Sequence, residues 1–238
     1  MITPSWNAPA HIKSLSTTRV GGLSEAPFAS NNLGQHVGDN PETVAANRTL
    51  LNSYLPAPPI WLDQRHTTTI IDINTHTGTQ IADGSVTNTN NVVCCIMTAD
   101  CLPILLTDKQ GSQVAAVHAG WRGLCDGIVE NAIAAFSCPA REVIAWLGPA
   151  IGPNKFEVGQ EVVDRFCQRY PSDKCCFELK NNRYLADLYQ LATKRLQRAG
   201  VIEVSGGEYC TYQQSELFFS YRREGKTGRM ASMIWIEK

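Results

Sequence analysis

Cys101 and His118 are set apart by where they fall in the chain. Cys101 follows Asp100 at a polar break between two apolar runs, and His118 ends a third run, followed by the small residues Ala119 and Gly120. A thiol and an imidazole that reach one pocket support two chemistries. One is a thiolate nucleophile activated by an imidazole base; the other is a soft metal site in which sulfur and nitrogen hold zinc or copper. Spacing does not choose between them. His66 lies 35 positions before Cys101 and His118 lies 17 after it, far from the short C-x-x-C or H-x-x-x-H pairs that make a metal motif specific. A structural cysteine and a hydrogen-bonded histidine fit the same residues. His11 and His76, isolated in sequence, read as surface or hydrogen-bonded histidines.

Arginines give the next signal, because a guanidinium fork suits phosphate oxygens. Arg19, Arg48, Arg65, Arg122 and the group Arg222, Arg223 and Arg229 include several beside glycine or aromatic residues, although each taken singly also reads as solvated surface charge. Gly21-Gly22 reads as a turn, since no long strand precedes it and no strong helix follows, and the chain has no Walker loop or G-x-G-x-x-G.

The elements that must position these groups are marked by hydrophobic period and punctuation. Asp39-Asn40-Pro41-Glu42 offers an N-cap, a first-turn proline and an early acid, which predicts a helix over 41–53, ended by Pro56-Ala57-Pro58-Pro59. Apolar runs at 92–97, 102–107 and 113–118 read as buried strands, as do 143–147 and the C-terminal 230–236. Leu124, Ile128, Ala132, Ile133 and Phe136 share a helical face, so a helix is expected just beyond His118, with its N-terminus facing that histidine. Further amphipathic helices are expected over 159–169 and 186–199, the second stopped by Gly200. Strands and helices mix without a strict βαβ rhythm, which favours an α+β or mixed-sheet architecture over a doubly wound one.

Composition bounds the function. The chain of 238 residues carries 21 Lys+Arg against 22 Asp+Glu, a net charge of −1, which argues against a protein built to grip nucleic acid or anionic membrane. No apolar stretch approaches the ~18 residues of a bilayer span, and no basic start with an apolar core marks a secretory signal, so a cytoplasmic location is expected. No repeat or linker divides the sequence, which predicts a single domain over 1–238. Nine cysteines, an odd number with two adjacent pairs, argue against a disulfide scaffold; most read as small buried hydrophobes. In a strand, Cys94 and Cys95 would face opposite ways and could not clasp one ion.

Taken together, Thr98-Ala99-Asp100-Cys101 and His118-Ala119-Gly120-Trp121-Arg122-Gly123 form a specific pair of motifs. With Ser16 to Gly22, Asn32-Leu33-Gly34, Val37 to Pro41, Trp146 to Pro153, Phe156 to Gly159, Cys210-Thr211-Tyr212 and Phe219 to Arg223, the chain resembles, nearly end to end, the YfiH-like family. That family has been called laccase-domain or multicopper polyphenol oxidases and, more recently, purine nucleoside phosphorylases. The resemblance implies a layered α/β/β/α sandwich of mixed sheets, similar to CNF/YfiH-like cysteine hydrolases that include cysteine deamidases. It implies a metal, usually assigned as zinc, on His66, Cys101 and His118. Arg65 stands where the family usually has valine, which adds a cation near the pocket.

The activity implied is zinc-dependent phosphorolysis of adenosine, inosine or guanosine to base and ribose 1-phosphate, with adenosine deamination beside it. Zinc with three protein ligands keeps a fourth position open and brings the pKa of a bound water towards ~7. Arg48 and Arg222 are the expected substrate-binding residues, for the phosphate. Three alternatives stand beside this: copper at the same ligands oxidising phenols, a cysteine hydrolase acting on cell-wall precursors with Cys101 as nucleophile and His118 as base, and a non-enzymatic metal-binding module. Oxygen reduction normally needs several coppers and many histidines, and the chain has five histidines. Cys210 either lines the pocket or packs.

Overall fold

The computed structural model describes residues 1–75 and 80–238; His76 lies outside the described residues. Among the described residues, twelve strands and six α-helices make a mixed α+β structure with three sheets. The strands are β1 (Ile12–Ser16), β2 (Ile70–Asp72), β3 (Gly84–Thr87), β4 (Cys94–Thr98), β5 (Leu102–Asp108), β6 (Val114–Ala119), β7 (Val143–Leu147), β8 (Glu157–Val158), β9 (Phe177–Lys180), β10 (Arg183–Ala186), β11 (Glu203–Gly206) and β12 (Met230–Ile236). The helices are α1 (Pro41–Asn52), α2 (Trp121–Asp126), α3 (Ile128–Ala134), α4 (Gln160–Arg169), α5 (Leu188–Arg198) and α6 (Tyr221–Glu224). None of the described helices is long and apolar enough to cross a membrane.

Six strands form one sheet in the order β11-β7-β5-β6-β3-β2, parallel at its two outer pairs and antiparallel between. A three-stranded sheet, β1-β12-β4, is antiparallel throughout. The third, β8-β10-β9, is small. Alternation of side chains along strands explains how the two larger sheets share a core. Cys94, Ile96 and Ile234 of the smaller sheet meet Leu105, Ala116 and Trp146 of the larger one. The intervening residues of the larger sheet, such as Ile104, Leu106 and Val117, pack with the apolar faces of α2, α3, α4 and α5. Cys94 and Cys95 do face opposite ways, Cys94 into the core between the sheets and Cys95 into a separate cluster with Leu33, Leu51 and Met233.

The expected strands are found within a residue or two of their predicted limits, and α1 begins at Pro41 with the Asn40 side chain accepting from the N–H groups of Glu42 and Thr43. The helix expected after His118 is two helices. Gly127 takes φ of 111°, a left-handed turn that ends α2 through a bond from its N–H to the Gly123 carbonyl, and α3 starts afresh. The amphipathic face survives the break, so period alone did not reveal it. The cysteines are also less uniform than expected: Cys94, Cys95, Cys125 and Cys176 are buried, Cys175 is exposed and the other four are half-buried.

Candidate metal centre and cleft

Sheet register explains how Cys101 and His118 meet across 17 residues. In the antiparallel pair β5/β6, Leu102 faces Ala119 and Pro103 faces His118, so Cys101, one residue before β5, comes beside Gly120, one residue after β6. The hairpin that joins the strands is at the far end. On the other side of β6 lies β3, and the carbonyl of Asp83, just before it, accepts from His118 N–H at 2.7 Å.

His66 reaches the same point from an irregular segment held by two side chains. Gln64 imitates a strand partner: its amide nitrogen donates to the Met97 carbonyl at 2.8 Å and its amide oxygen accepts from Met97 N–H at 2.7 Å. The fully buried Asp83 carboxylate then gathers the backbone N–H groups of Arg65, His66 and Thr67 at 3.2, 3.0 and 2.6 Å, together with the Thr67 hydroxyl at 2.8 Å. The same carboxylate takes Nδ1 of His118 at 2.8 Å, which leaves the imidazole Nε2 for the pocket. Burial alone would push this carboxyl up; the bonds from His118 and Thr67 outweigh it and hold the pKa at about 2.

The result is a cluster of one sulfur and two imidazole nitrogens within 4.8 Å of one another, from His66, Cys101 and His118. Cys101 Sγ is 3.7 Å from His66 Nε2, and the two imidazole rings stand edge to face with centroids 4.8 Å apart. A tetrahedral zinc with bonds of about 2.3 Å to sulfur and about 2.0 Å to nitrogen needs donors roughly 3.5 Å apart; the 3.7 Å between Cys101 Sγ and His66 Nε2 is close to this, and the donor set fits a zinc or copper ion in its chemistry. Gly120 supports the fit. A Cβ on it would lie 2.8 Å from His66 Cδ2 and 3.1 Å from Cys101 Sγ, so only glycine leaves this space clear.

Without a metal the cluster is an ion pair. Burial raises the Cys101 pKa, but His118 and His66 overcome it and bring the thiol down to about 6. For His118 burial lowers the pKa, and the charges of Cys101 and Asp83 reverse this to about 9. Cys94, buried with no such partner, is pushed up to about 12. Two residues of the site carry unusual backbone, His66 at φ 59° and Asp100 at φ 90°. Asp100 is held in place by the Thr211 hydroxyl on one oxygen and Arg222 N–H on the other, both at 2.6 Å.

The three donors open into a cleft of about 570 Å³. Met97, Trp121, Phe156 and Tyr221 line it with apolar and aromatic faces suited to a flat heterocycle. Arg122, Arg222 and Arg229 line it as well, and His36 has its pKa lowered by desolvation and by the charges of Arg229 and Arg48.

Of the two arginines expected from the sequence, the structure brings one to the cleft. Arg222 lines it, with its guanidinium over the Phe156 ring and donating to the Glu157 carbonyl at 2.8 Å. Arg48 is not among the lining residues: its Nε and Nη2 both donate to the Leu33 carbonyl, and its guanidinium stacks 3.8 Å over the Trp61 ring. Arg65 adds no cation to the lining either, because it turns outward to an exposed pair with Asp63 at 2.7 Å. Cys210 packs, its sulfur accepting from Gly152 N–H at 3.2 Å. His11 is hydrogen-bonded to the Gly111 carbonyl, as expected.

Sequence reasoning missed Asp83 and Gln64 and did not single out Arg229. Gln64 stands two residues before the candidate metal-binding His66, which is a signal; Asp83 stands just before an ordinary short strand and has none.

A family model described as multi-copper polyphenol oxidoreductase laccase matches residues 13–237. The chain belongs to this family. Among relatives of the laccase-domain chain, the purine nucleoside phosphorylase of Haemophilus influenzae is 48% identical, over 99% of each chain. The purine nucleoside phosphorylase YfiH of Escherichia coli K12 is 46% identical, over 99% of this chain and 98% of its own. A Neisseria meningitidis protein of family DUF152, known from its crystal structure, shares the laccase-domain fold with a TM-score of 0.97 and 49% identity, over 100% of this chain and 99% of that one.

Proposed function

We propose that the protein is a purine nucleoside phosphorylase that holds a zinc ion on His66, Cys101 and His118. Supporting it are full-length similarity to proteins of that name and, as the observation that carries the chemistry, three convergent donors at the floor of a cleft large enough for a nucleoside. Layering of the sheets as an α/β/β/α sandwich like that of cysteine deamidases, one domain over 1–238 and a cytoplasmic location belong to the same reading.

Phosphorolysis joins a phosphate oxygen to C1′ of the ribose and breaks the bond from C1′ to N9. The electron pair of that bond leaves with the purine, and the proton of hydrogenphosphate ends on the departing base. The chain's residues bind and orient. Aromatic faces of Trp121, Phe156 and Tyr221 take the flat base, and cleft arginines hold the phosphate in line with C1′. Asp83 fixes His66 through its backbone and His118 through its ring, so that both nitrogens face Cys101. Zinc held by His66, Cys101 and His118 would supply Lewis acidity at this end of the cleft. Adenosine deamination at the same centre is part of the reading.

Metal-replete protein incubated with inosine and phosphate should form hypoxanthine and ribose 1-phosphate, and Cys101→Ala should abolish this. Absence of ribose 1-phosphate, with the variant indistinguishable from the parent, overturns the reading.

One observation favours a second reading. The Cys101 thiol, held at about 6 beside His118, is the pattern of a cysteine nucleophile with an imidazole base. An amide hydrolase of this kind would keep its activity in a chelator and lose it to a thiol alkylator, and a chelator that stops turnover removes it. Oxidation of phenols by several coppers finds less support: among the described residues only one group of three or more His, Cys, Asp or Glu side chains is placed to hold an ion.

A further inference from the structure

Three arginines line the cleft, and they differ in what they do there. Arg122 and Arg222 are exposed, Arg122 lying over the Trp121 ring and Arg222 over Phe156. Charges in that setting are screened by water and mobile ions. Arg229 is half-buried. Its position follows from register: β12 runs antiparallel to β4 with Met230 opposite Thr98, so Arg229, one residue before β12, is delivered beside the Ala99-Asp100-Cys101 turn that carries the thiolate.

The surroundings of Arg229 are built for it. Its backbone N–H donates to Asn32 Oδ1 at 2.9 Å, and its carbonyl accepts from Leu33 N–H at 3.2 Å. Its stem lies on Gly34, where a Cβ would come within 2.8 Å of Arg229 Cγ. Asn32 is in turn anchored by its amide on Asp39 Oδ2 at 2.9 Å. The Asn-Leu-Gly and Val-Gly-Asp motifs of the sequence, which the metal centre leaves unexplained, thus form the mount of one side chain.

No carboxylate answers this guanidinium. Its Nη1 donates to the carbonyls of Thr227 and Gly228, both at 3.0 Å, and among the described residues no acidic group forms an ion pair with it. Two anionic groups act on it without bonding to it: the Cys101 sulfur, which a bound metal would claim, and Asp100, which already gives both oxygens to the Thr211 hydroxyl and Arg222 N–H. A partly desolvated cation with no bonded counter-ion is costly, and part of the cost is recovered when an anion binds. Arg229 lines the cleft, its guanidinium 5.9 Å from the centroid of the Tyr221 ring, and in the phosphorolysis reading that cleft takes up a dianion.

We propose that Arg229 is the principal phosphate-binding residue of the cleft, gripping inorganic phosphate through the free edge of its guanidinium, with Asn32 and Gly34 as positioning residues. This inference rests on the phosphorylase reading and deepens it; it moves the role expected of Arg48 to another arginine, for Arg48 is not among the residues that line the cleft and gives Nε and Nη2 to the Leu33 carbonyl.

The experiment compares metal-replete parent protein with Arg229→Ala and Arg229→Lys. KM for phosphate and KM for inosine are measured separately, and inorganic phosphate alone is titrated into each protein by calorimetry. Arg229→Ala should raise both the phosphate KM and the phosphate Kd at least about tenfold and change the inosine KM less than about twofold, because a charge-assisted fork is lost from one substrate only. Arg229→Lys should fall between, keeping the charge and losing the fork. Metal content should be unchanged in both. If Arg229→Ala does not fold, Arg229→Lys decides: a phosphate Kd at least about threefold weaker than the parent's supports the role, and an equal one overturns it. Arg229→Ala that binds phosphate as tightly as the parent overturns the inference while leaving the phosphorylase reading in place. Parent protein that forms no ribose 1-phosphate overturns that reading, and Arg229 is then judged on the phosphate titration alone, where no binding by the parent overturns it as well.

Discussion

Asp83 Oδ1 lies 2.8 Å from His118 Nδ1 and 3.0 Å from the backbone nitrogen of His66, so a single buried carboxylate oxygen sets the direction of two histidines of the candidate metal centre. This makes the cluster as sensitive to a residue outside it as to its own members.

Replacement Asp83→Asn keeps the shape of the side chain and removes the charge. It should weaken zinc affinity by about 10- to 100-fold, read by competition with a chromogenic chelator, while circular dichroism stays that of the parent. The carboxylate also has a pH signature. Its folded pKa of about 2 is below the ordinary 3.8, so its contribution to stability is present above pH ~4 and is lost as pH falls from there towards 2. Acid unfolding of the metal-free protein should therefore move to higher pH in Asp83→Asn.

At Gly120 the backbone has φ −61°, which any residue accepts, so the glycine is there for space. Gly120→Ala places a methyl group against His66 and Cys101. The expected outcome is a folded protein with substoichiometric zinc by atomic emission. Full zinc occupancy in that variant would show that the cluster is not the binding site.

The lowered thiol predicts selective chemistry in metal-free protein. The thiolate fraction of Cys101 rises with pH through about 6, so its alkylation by iodoacetamide should be half-maximal near pH 6 and level above it. Cys94, pushed up to about 12, should stay unlabelled. Added zinc should protect Cys101. Peptide mass mapping across the pH series checks all three.

Core and site are separable in energy. Leu105 is fully buried between the two larger sheets and does not line the cleft, and Leu105→Ala should cost about 2 to 5 kcal/mol in urea unfolding through the cavity it leaves. Zinc stoichiometry of the folded fraction should not change. Arg48→Ala is the corresponding check at the cleft's edge: losing the bonds to Leu33 should lower the melting temperature by several degrees, on the order of 1 kcal/mol, with little effect on the phosphate KM.

What the amino-acid sequence determined by itself is local and periodic: the strands around the site, α1 with its Asn40 cap, the opposite facing of Cys94 and Cys95, and, through the motifs ending in Cys101 and beginning at His118, membership of the laccase-domain family. These are legible because strand and helix periods, caps and short motifs are properties of neighbours in the chain. The tertiary structure alone decided which distant groups meet. Register across β5/β6 and β12/β4 places Gly120 and Arg229 at the Cys101 turn, and a carboxylate with no sequence signal, Asp83, ties His66 to His118. It also kept Arg48 and Arg65 out of the cleft lining, because a guanidinium's partner is set by which carbonyl, ring or carboxylate folding brings within about 3 to 4 Å, and composition does not carry that distance.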